Sequence, residues 1–212
     1  VYDNTDATRH EAATWVETDS QGNVLVSGTI RSGFSNPVNA NSVLMKLNSA
    51  GTLLWRVVHE NDLDGSSTKK CLIDGNDNIY VIGIGMGTNG LVTNVRKFNS
   101  SGQLLFNYFD TGNGAPINFK FTPDNAIVVV HRSVTGSINK YSKISLTGAN
   151  LWVSENFNSL SSGDAVGDAF GNTYVINGNS SSGSTLTKLN PNGIVLWTQN
   201  NSMIATKVEI GS

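Results

Sequence analysis

The fold is decided by one stretch, Leu44-Met-Lys-Leu-Asn-Ser-Ala-Gly-Thr-Leu-Leu-Trp55, which recurs three more times along the chain. The copies are Val95-Arg-Lys-Phe-Asn-Ser-Ser-Gly-Gln-Leu-Leu-Phe106, Ser142-Lys-Ile-Ser-Leu-Thr-Gly-Ala-Asn-Leu-Trp152 and Leu186-Thr-Lys-Leu-Asn-Pro-Asn-Gly-Ile-Val-Leu-Trp197. Their lysines, at positions 46, 97, 143 and 188, are 51, 46 and 45 residues apart, and the glycines and closing aromatic residues keep these spacings. Such regular self-similarity indicates a repeat architecture.

A second signature precedes each copy and divides the repeat into strands. It reads Asp19-Ser-Gln-Gly-Asn-Val-Leu-Val-Ser-Gly28 in the first repeat and begins at Asp74, Thr122 and Asp168 in the others. In the second repeat, turn residues separate four apolar runs, 68–73, 79–83, 93–98 and 103–109. Four short strands in about 47 residues are typical of a β-propeller blade, and turns this frequent exclude a helical repeat.

The sequence therefore predicts an all-β chain of four-stranded antiparallel blades in a single, partial propeller. The predicted blades are 11–61, 66–112, 115–158 and 162–201, with residues 203–212 opening a further blade. Ala205–Ser212 matches Ala13–Ser20, in the first strand of the first repeat, at five of eight positions. Val1-Tyr2-Asp3 resembles the end of an outermost strand. We expect four complete blades with partial ones at both ends, as part of a larger polypeptide.

The recurring residues have structural roles. The aspartate of the first signature is expected to cap backbone amides in its turn, and the Asn-x-x-Gly turn needs glycine for a positive φ. The recurring tryptophan or phenylalanine is expected to fill the wedge between adjacent blades. We expect the recurring lysine to lay its methylenes along a neighbour and keep its ammonium in water. The third repeat departs from this pattern, with Phe121 and Ser145 in place of the aspartate and the asparagine.

The pattern Asp-x-x-Gly-Asn-x-Tyr-Val followed by Leu-x-Lys-Leu-Asn-x-x-Gly-x-x-Leu-Trp resembles the bacterial SBBP-type β-propeller repeat. It is also similar to the tryptophan-docked repeats of pyrroloquinoline-quinone-type propellers. The resemblance implies a large secreted or surface protein of bacteria, and the repeat itself carries no common activity. It therefore favours an extracellular or cell-surface structural module, or one that binds a protein or glycan partner.

Composition narrows the possible partners. The 212 residues carry 14 basic and 16 acidic side chains, for a net charge of −2, and only Lys69-Lys70 forms a short basic cluster. No nucleic-acid partner is expected, because such binders show a basic patch or stripe. No apolar run is long enough to span a membrane as a helix. The single Cys71 excludes an intrachain disulfide and is expected to be a small buried residue of a first strand.

A search for chemistry assigns no catalytic, cofactor-binding or metal-binding residue, and no cofactor is expected. The histidines His10, His59 and His131 lack ligand spacing, although His10 and His59, both placed in loops before a first strand, could meet near one face. The acidic segment Glu60–Gly65 only faintly resembles a calcium loop. Gly83–Gly87 resembles a phosphate loop but leads to a strand and is predicted to be a flexible hairpin loop.

Two other functions stay open at the level of the sequence. One is an enzyme, either a quinone-dependent dehydrogenase or a carbohydrate-active hydrolase or lyase, with a site assembled from several blades on the axial face. The other is glycan binding through the loops at Gly33-Phe34 or Gly178–Gly183. Neither hypothesis identifies the residues that bind a ligand.

Overall fold

The computed structural model describes residues 9–32, 40–59, 67–87, 90–110, 114–132, 138–154, 157–158, 163–179 and 183–211. Within these ranges every regular element is a β-strand, as the sequence predicted. No helix of the described part of the chain is long and apolar enough to cross a membrane. The chain forms two compact units, Val1–Gly112 and Asn113–Ser212.

The first unit contains two four-stranded antiparallel sheets, each made of consecutive strands. Blade 1 consists of β1 (Arg9–Thr18), β2 (Val24–Ser32), β3 (Ala40–Leu47) and β4 (Leu53–His59). Blade 2 consists of β5 (Ser67–Ile73), β6 (Ile79–Gly87), β7 (Gly90–Phe98) and β8 (Leu104–Asp110). The four strands predicted for the second repeat are therefore confirmed.

The second unit repeats this topology. Blade 3 consists of β9 (Ala115–Thr122), β10 (Ala126–Arg132), β11 (Ile138–Ser145) and β12 (Asn150–Val153), and β13 (Phe157–Asn158) also pairs with β11. Blade 4 consists of β14 (Gly163–Gly167), β15 (Thr173–Asn179), β16 (Gly183–Leu189) and β17 (Val195–Asn201). Four sheets of this kind, in sequence order, confirm the predicted β-propeller fold.

Side-chain caps hold the turns as predicted. Oδ1 of Asp19 accepts hydrogen bonds from the amides of Gln21 and Asn23 at 3.0 and 2.8 Å. Asp74 and Asp168 cap their own turns in the same way. Ser145, which replaces the asparagine of the other repeats, still caps its turn, because its Oγ accepts from the amide of Ala149 at 3.0 Å.

Each apolar core lies between two blades of the same unit. In the first unit, Leu25 and Leu44 of blade 1 pack with Cys71, Val81 and Phe98 of blade 2. In the second unit, side chains of β10–β12 cluster with side chains of blade 4; the members are Val128, Val130, Tyr141, Trp152, Ala165, Val175 and Leu189. Burial between neighbours thus supplies the hydrophobic stabilisation of the fold.

The recurring tryptophan fills the wedge between blades where a neighbour follows within the unit. The Trp55 Nε1 donates to the Ser100 carbonyl, 3.3 Å away in the β7–β8 turn. Trp152 is buried against the β16–β17 turn, where a Cβ added to Gly193 would lie 2.8 Å from the indole. Trp197 of blade 4 is 39% exposed and contacts Tyr174 of its own blade.

The prediction that the recurring lysine keeps its ammonium in water is wrong for Lys46 and Lys143. Both side chains are buried, and each pairs with a carboxylate of its own blade, Asp19 or Asp124, at 2.7 Å. The same ammonium donates to a carbonyl of the following blade, Ser100 O at 3.2 Å for Lys46. For Lys143 this second acceptor is Gly171 O at 2.9 Å. Burial is possible because the charge is paired and hydrogen-bonded.

The strand pairing explains why the other two lysines differ. Lys97 and Lys188 pair across the sheet with Tyr80 and Tyr174, and each ammonium lies over the partner ring, 4.9 and 5.1 Å from its centroid. In blades 1 and 3 the facing residue is aliphatic, Leu25 or Val128. Without a ring in the way, the ammonium reaches the turn carboxylate directly.

Candidate binding clamp

Three polar side chains converge between the first strands of blades 3 and 4. Asp164 on β14 accepts hydrogen bonds from Asn118 Nδ2 at 2.9 Å and from Lys120 Nζ at 2.6 Å, both on β9. Asp164 is only 3% exposed, and its carboxylate forms an ion pair with the Lys120 ammonium at 2.6 Å. We call Asn118, Lys120 and Asp164 the clamp.

The backbone of β9 brings two clamp side chains to the same face. Asn118 and Lys120 are two residues apart, and alternate residues of a strand point to the same side. The pairing of β9 with β10 shifts between Val130 and His131, which leaves Ile117 as an extra residue. This bulge precedes Asn118, so the two clamp residues follow it in regular register.

The clamp holds the main chain of residues 202–211, which bend at 202 and 203 after β17 and then continue to 211 outside any regular element. We call residues 202–211 the extended segment. The Val208 amide donates to Asp164 Oδ2 at 3.1 Å, and Lys120 Nζ donates to the Val208 carbonyl at 3.3 Å. Both polar groups of one residue are therefore bound by side chains of opposite charge. Residues 202–211 join no strand ladder of the described sheets, and their assignment to a further blade stays a prediction.

Both contacts to Val208 are made by a charged group, the Asp164 carboxylate or the Lys120 ammonium. A carboxylate is an acceptor with about four lone-pair sites, and an ammonium has three donors. Asp164 thus serves Asn118, Lys120 and the Val208 amide at once, while Lys120 serves Asp164 and the Val208 carbonyl. Hydrogen bonds to charged groups contribute about 1.5–3 kcal/mol each, compared with about 1 kcal/mol for neutral pairs.

A cavity of about 650 Å³ adjoins the clamp. One wall comes from the end of β9 and its turn, a second from the end of β14 and the turn after it, and a third from the extended segment. The lining residues are Lys120, Phe121, Pro123, Val166, Gly167, Asp168, Ala169, Phe170, Glu209, Ile210 and Gly211. Phe170 is 85% exposed and presents a large apolar ring at this opening.

The histidines do not form the pair that the sequence left open. His10 lies on β1 and His59 on β4, not in loops, so that part of the prediction is wrong. These are the two edge strands of blade 1, with two strands between them. At about 4.8 Å per strand the backbones are about 14 Å apart, which is too far to share a ligand.

His131 lies in the core and is closed to any substrate. Its Nε2 lies 2.6 Å from Ser142 Oγ on the neighbouring strand β11. The side chain is fully buried, and this burial, with a smaller contribution from the charge of Lys140, lowers the pKa of His131 to about 3. The imidazole is therefore neutral at physiological pH.

The glycine-rich stretch is not a loop. Gly83–Gly87 belongs to β6, which pairs with β7 as far as Gly87 and Gly90, so the predicted flexible hairpin loop is wrong. A Cβ on Gly83 would lie 2.6 Å from the Ser67 carbonyl oxygen, which explains the glycine by close backbone approach. Cys71 is buried on β5 as predicted, and burial raises the pKa of its thiol to about 11.

Other sequence candidates cannot be placed. Glu60–Gly65 and Gly33-Phe34 lie outside the described residues, and of the Gly178–Gly183 stretch only 178, 179 and 183 are described, in β15 and β16. In the described part of the chain no three histidine, cysteine, aspartate or glutamate side chains are grouped to hold a metal ion.

The clamp was missed by the sequence reasoning, which concentrated on the two repeat signatures. Asn118, Lys120 and Asp164 lie in the first strands, outside both signatures. A signal was present in the pattern of one strand, because Gly163-Asp-Ala-Val-Gly167 places a carboxylate within an apolar run. A buried charge of that kind requires a partner.

Comparisons with known proteins support the fold. No family model matches the chain, and no curated protein matches its sequence. Among solved structures, it is similar to a protein of unknown function from Bacteroides caccae, with 15% identity and a TM-score of 0.52 over 90% of this chain and 68% of that one. It is also similar to hydrazine synthase of Kuenenia stuttgartiensis, with 10% identity and a TM-score of 0.54 over 90% of this chain and 65% of that one.

A gluconolactonase from Xanthomonas campestris matches with 11% identity and a TM-score of 0.49, over 87% of this chain and 60% of that one. Across these three structures the chain spans between 60% and 68% of the other protein's length. At such low identity the likeness to the two structures with TM-scores above 0.5 shows the fold alone.

Proposed function

We propose that this chain is an interaction module of a β-propeller protein and that it binds a protein partner through an extended segment held at the clamp. One observation carries the proposal: the amide and the carbonyl of Val208 are both bound by side chains, Asp164 and Lys120, and not by a neighbouring strand. From the resemblance of the repeat, we further propose that the module acts outside the cell.

The clamp is suited to different sequences because it binds only main-chain atoms. Every residue except proline offers the same amide and carbonyl, so an extended segment from another protein presents what Val208 presents. Peptide recognition of this type takes affinity from main-chain hydrogen bonds and specificity from pockets for side chains. The Lys120–Asp164 pair and the Asn118 contact hold the acceptor in position before a segment arrives.

The chain's own segment competes for the clamp. A tethered segment acts at a high effective concentration, so a free peptide binds weakly until the segment is released. Replacing Val208 by proline removes the amide that donates to Asp164. We expect this substitution to free the clamp and to leave the blades intact, because Val208 belongs to no strand of the described sheets.

The test measures binding of a fluorescein-labelled peptide, Met-Ile-Ala-Thr-Lys-Val-Glu-Ile-Gly, by fluorescence anisotropy. This peptide copies residues 203–211. The full chain carrying Val208→Pro should bind it at least about fivefold more tightly than the unmodified chain, because the internal competitor is weakened. Adding Asp164→Asn to Val208→Pro should weaken binding about tenfold, since about 1.4 kcal/mol changes affinity tenfold.

The matched control is Glu11→Gln added to Val208→Pro. Glu11 forms a surface ion pair with Arg56 in the first unit, far in sequence from the clamp. This control should bind the peptide as Val208→Pro does. Equal binding to the Asp164→Asn chain, or no binding to any variant, would contradict the proposal.

The enzyme and glycan-binding alternatives stay predictions. Each has a direct assay, an absorbance spectrum for a bound quinone or a glycan array. Neither is supported by a specific contact among the described residues.

A further inference from the structure

We infer that the cavity beside the clamp is a side-chain pocket that selects an aromatic residue two positions after the clamped residue of a partner segment. This inference rests on the proposed function and adds specificity to the same site. The partner is an extended peptide in which the residue bound by the clamp is followed by any one residue and then by an aromatic residue.

The bound segment sets the register. Val208 is fixed at the clamp, and the chain then runs past the cavity through Glu209, Ile210 and Gly211. Ile210, the second residue after Val208, lines the cavity. A partner segment held at the same two atoms and in the same direction therefore places its second following residue at this opening.

The size of the opening exceeds what Ile210 fills. About 650 Å³ remains with the isoleucine in place, and the Ile210 side chain is itself 45% exposed. Ligand pockets commonly have volumes of about 300–1,000 Å³. A phenylalanine or tryptophan side chain buries about 150–250 Å², which is more than an isoleucine can contribute here.

The walls match an aromatic ring. Phe121, Pro123 and Phe170 contribute apolar surface, and Phe170 is largely exposed. Offset or edge-to-face contact between two aromatic rings adds stabilisation beyond that of the area buried. Exposed apolar surface at a preformed opening of this kind is typical of an interaction site.

The charged groups at the rim are already engaged. Asp168 accepts from two amides of its turn and from Asn172 Nδ2, and these bonds outweigh its burial and lower the pKa of its carboxyl. Glu209 pairs with Lys207 on the segment. Lys120, the cationic residue of the lining, is already paired with Asp164. A carboxylate at the selected position would therefore meet the charge of Asp168, and an acidic side chain is disfavoured.

The inference can be tested in the full chain by amide hydrogen exchange of Val208, followed by NMR. Ile210→Trp should raise the protection factor of the Val208 amide at least about fivefold, because the ring fills the cavity and holds the segment on the clamp. Ile210→Asp should lower the protection. Adding Phe170→Ala to Ile210→Trp should remove most of the gain.

The matched control is Met203→Trp. Met203 lies on the same segment, is 68% exposed and does not line the cavity. It should leave the protection of Val208 unchanged. Equal gains in protection for Met203→Trp and Ile210→Trp, or a gain that remains after Phe170→Ala, would contradict the inference that the cavity selects an aromatic residue.

A second measurement separates this inference from the proposed function. The Val208→Pro chain should bind a labelled peptide with tryptophan in the eighth position about fivefold more tightly than the parent peptide. If both peptides bind equally and Asp164→Asn weakens the binding of both, selection by the cavity is contradicted and peptide binding at the clamp is supported. If neither depends on Asp164, the proposed function fails as well.

Discussion

The Lys46 ammonium lies 2.7 Å from the Asp19 carboxylate, and the side chains are only 8% and 2% exposed. The lysine comes from β3, the aspartate from the turn that precedes β2, and the ammonium also reaches the Ser100 carbonyl of blade 2. One buried ion pair thus joins a turn of blade 1 to a turn of its neighbour.

Replacing Lys46 by methionine should destabilise the chain by about 3–5 kcal/mol, because it leaves the Asp19 carboxylate buried and unpaired. Lys97→Met is the matched change, at the same repeat position in the same unit, and should cost no more than about 1 kcal/mol, since it removes a cation–π contact. Urea unfolding followed by circular dichroism measures both. Equal losses for the two variants would show that the buried pair has no special role.

Stability should fall in acid between about pH 4 and pH 2. Burial by itself would raise the pKa of Asp19, but hydrogen bonds from Lys46, from the Asn23 side chain and from backbone amides lower it to about 2, against an ordinary value of 3.8. A lowered pKa in the folded state stabilises the fold above the ordinary pKa, and the benefit is lost as the pH falls through the folded value.

The loss attributable to Asp19 is on the order of 1–2 kcal/mol. Urea midpoints measured from pH 6 to pH 2 should show it, and Asp19→Asn should flatten the slope in this window. A wild-type midpoint that does not change between pH 4 and pH 2 would contradict the lowered pKa.

Trp152 and Trp197 occupy the same repeat position but should respond differently to alanine. Trp152 is 7% exposed, and its loss should cost about 3–5 kcal/mol, as for other buried aromatic residues. Trp197 is 39% exposed and makes an edge-on ring contact with Tyr174, so its loss should cost about 1 kcal/mol. Thermal or urea unfolding of the two variants makes the comparison, and similar values would show that the wedge contact of Trp152 contributes little.

Gly193→Ala should destabilise the second unit although it adds only a methyl group. Gly193 has a φ of +78°, and an added Cβ would lie 2.8 Å from Trp152 ring atoms. Gly51 has a similar φ, +82°, with no atom within 4 Å of an added Cβ, so Gly51→Ala is the matched control for backbone strain alone. Gly193→Ala should be the more harmful by at least about 1 kcal/mol, in line with the usual cost of overpacking. Equal effects would show that the indole moves aside freely.

Cys71 should resist thiol reagents in the folded chain. Burial raises the pKa of its thiol to about 11, and only the thiolate is nucleophilic. At pH 8 the reaction with Ellman's reagent should therefore be at least about a hundredfold slower in buffer than in 6 M guanidinium. Rapid labelling of the native chain would indicate an accessible thiol and would contradict the core position of β5.

Local chemistry explains which features could be predicted. The strand boundaries and the Asp19-type caps depend on contacts within a few residues, such as the 2.8 Å bond from Asn23 N to Asp19, and the repeat is visible as a periodicity of the sequence. The partner of Lys46 was not anticipated, because it depends on whether Leu25 or a tyrosine faces the lysine across the sheet. That information was in the sequence, but only strand register connects the two positions.

The sequence by itself determined the repeat, the strand order and the turn caps, since these follow from periodicity and from hydrogen bonds within single turns. The tertiary structure alone decided that Asp164, Lys120 and Val208 meet, because they are separated by 44 and 88 residues along the chain and come together only when blades pack. A pairing over such distances follows from how two sheets and a returning segment fill the same space, which no local pattern encodes.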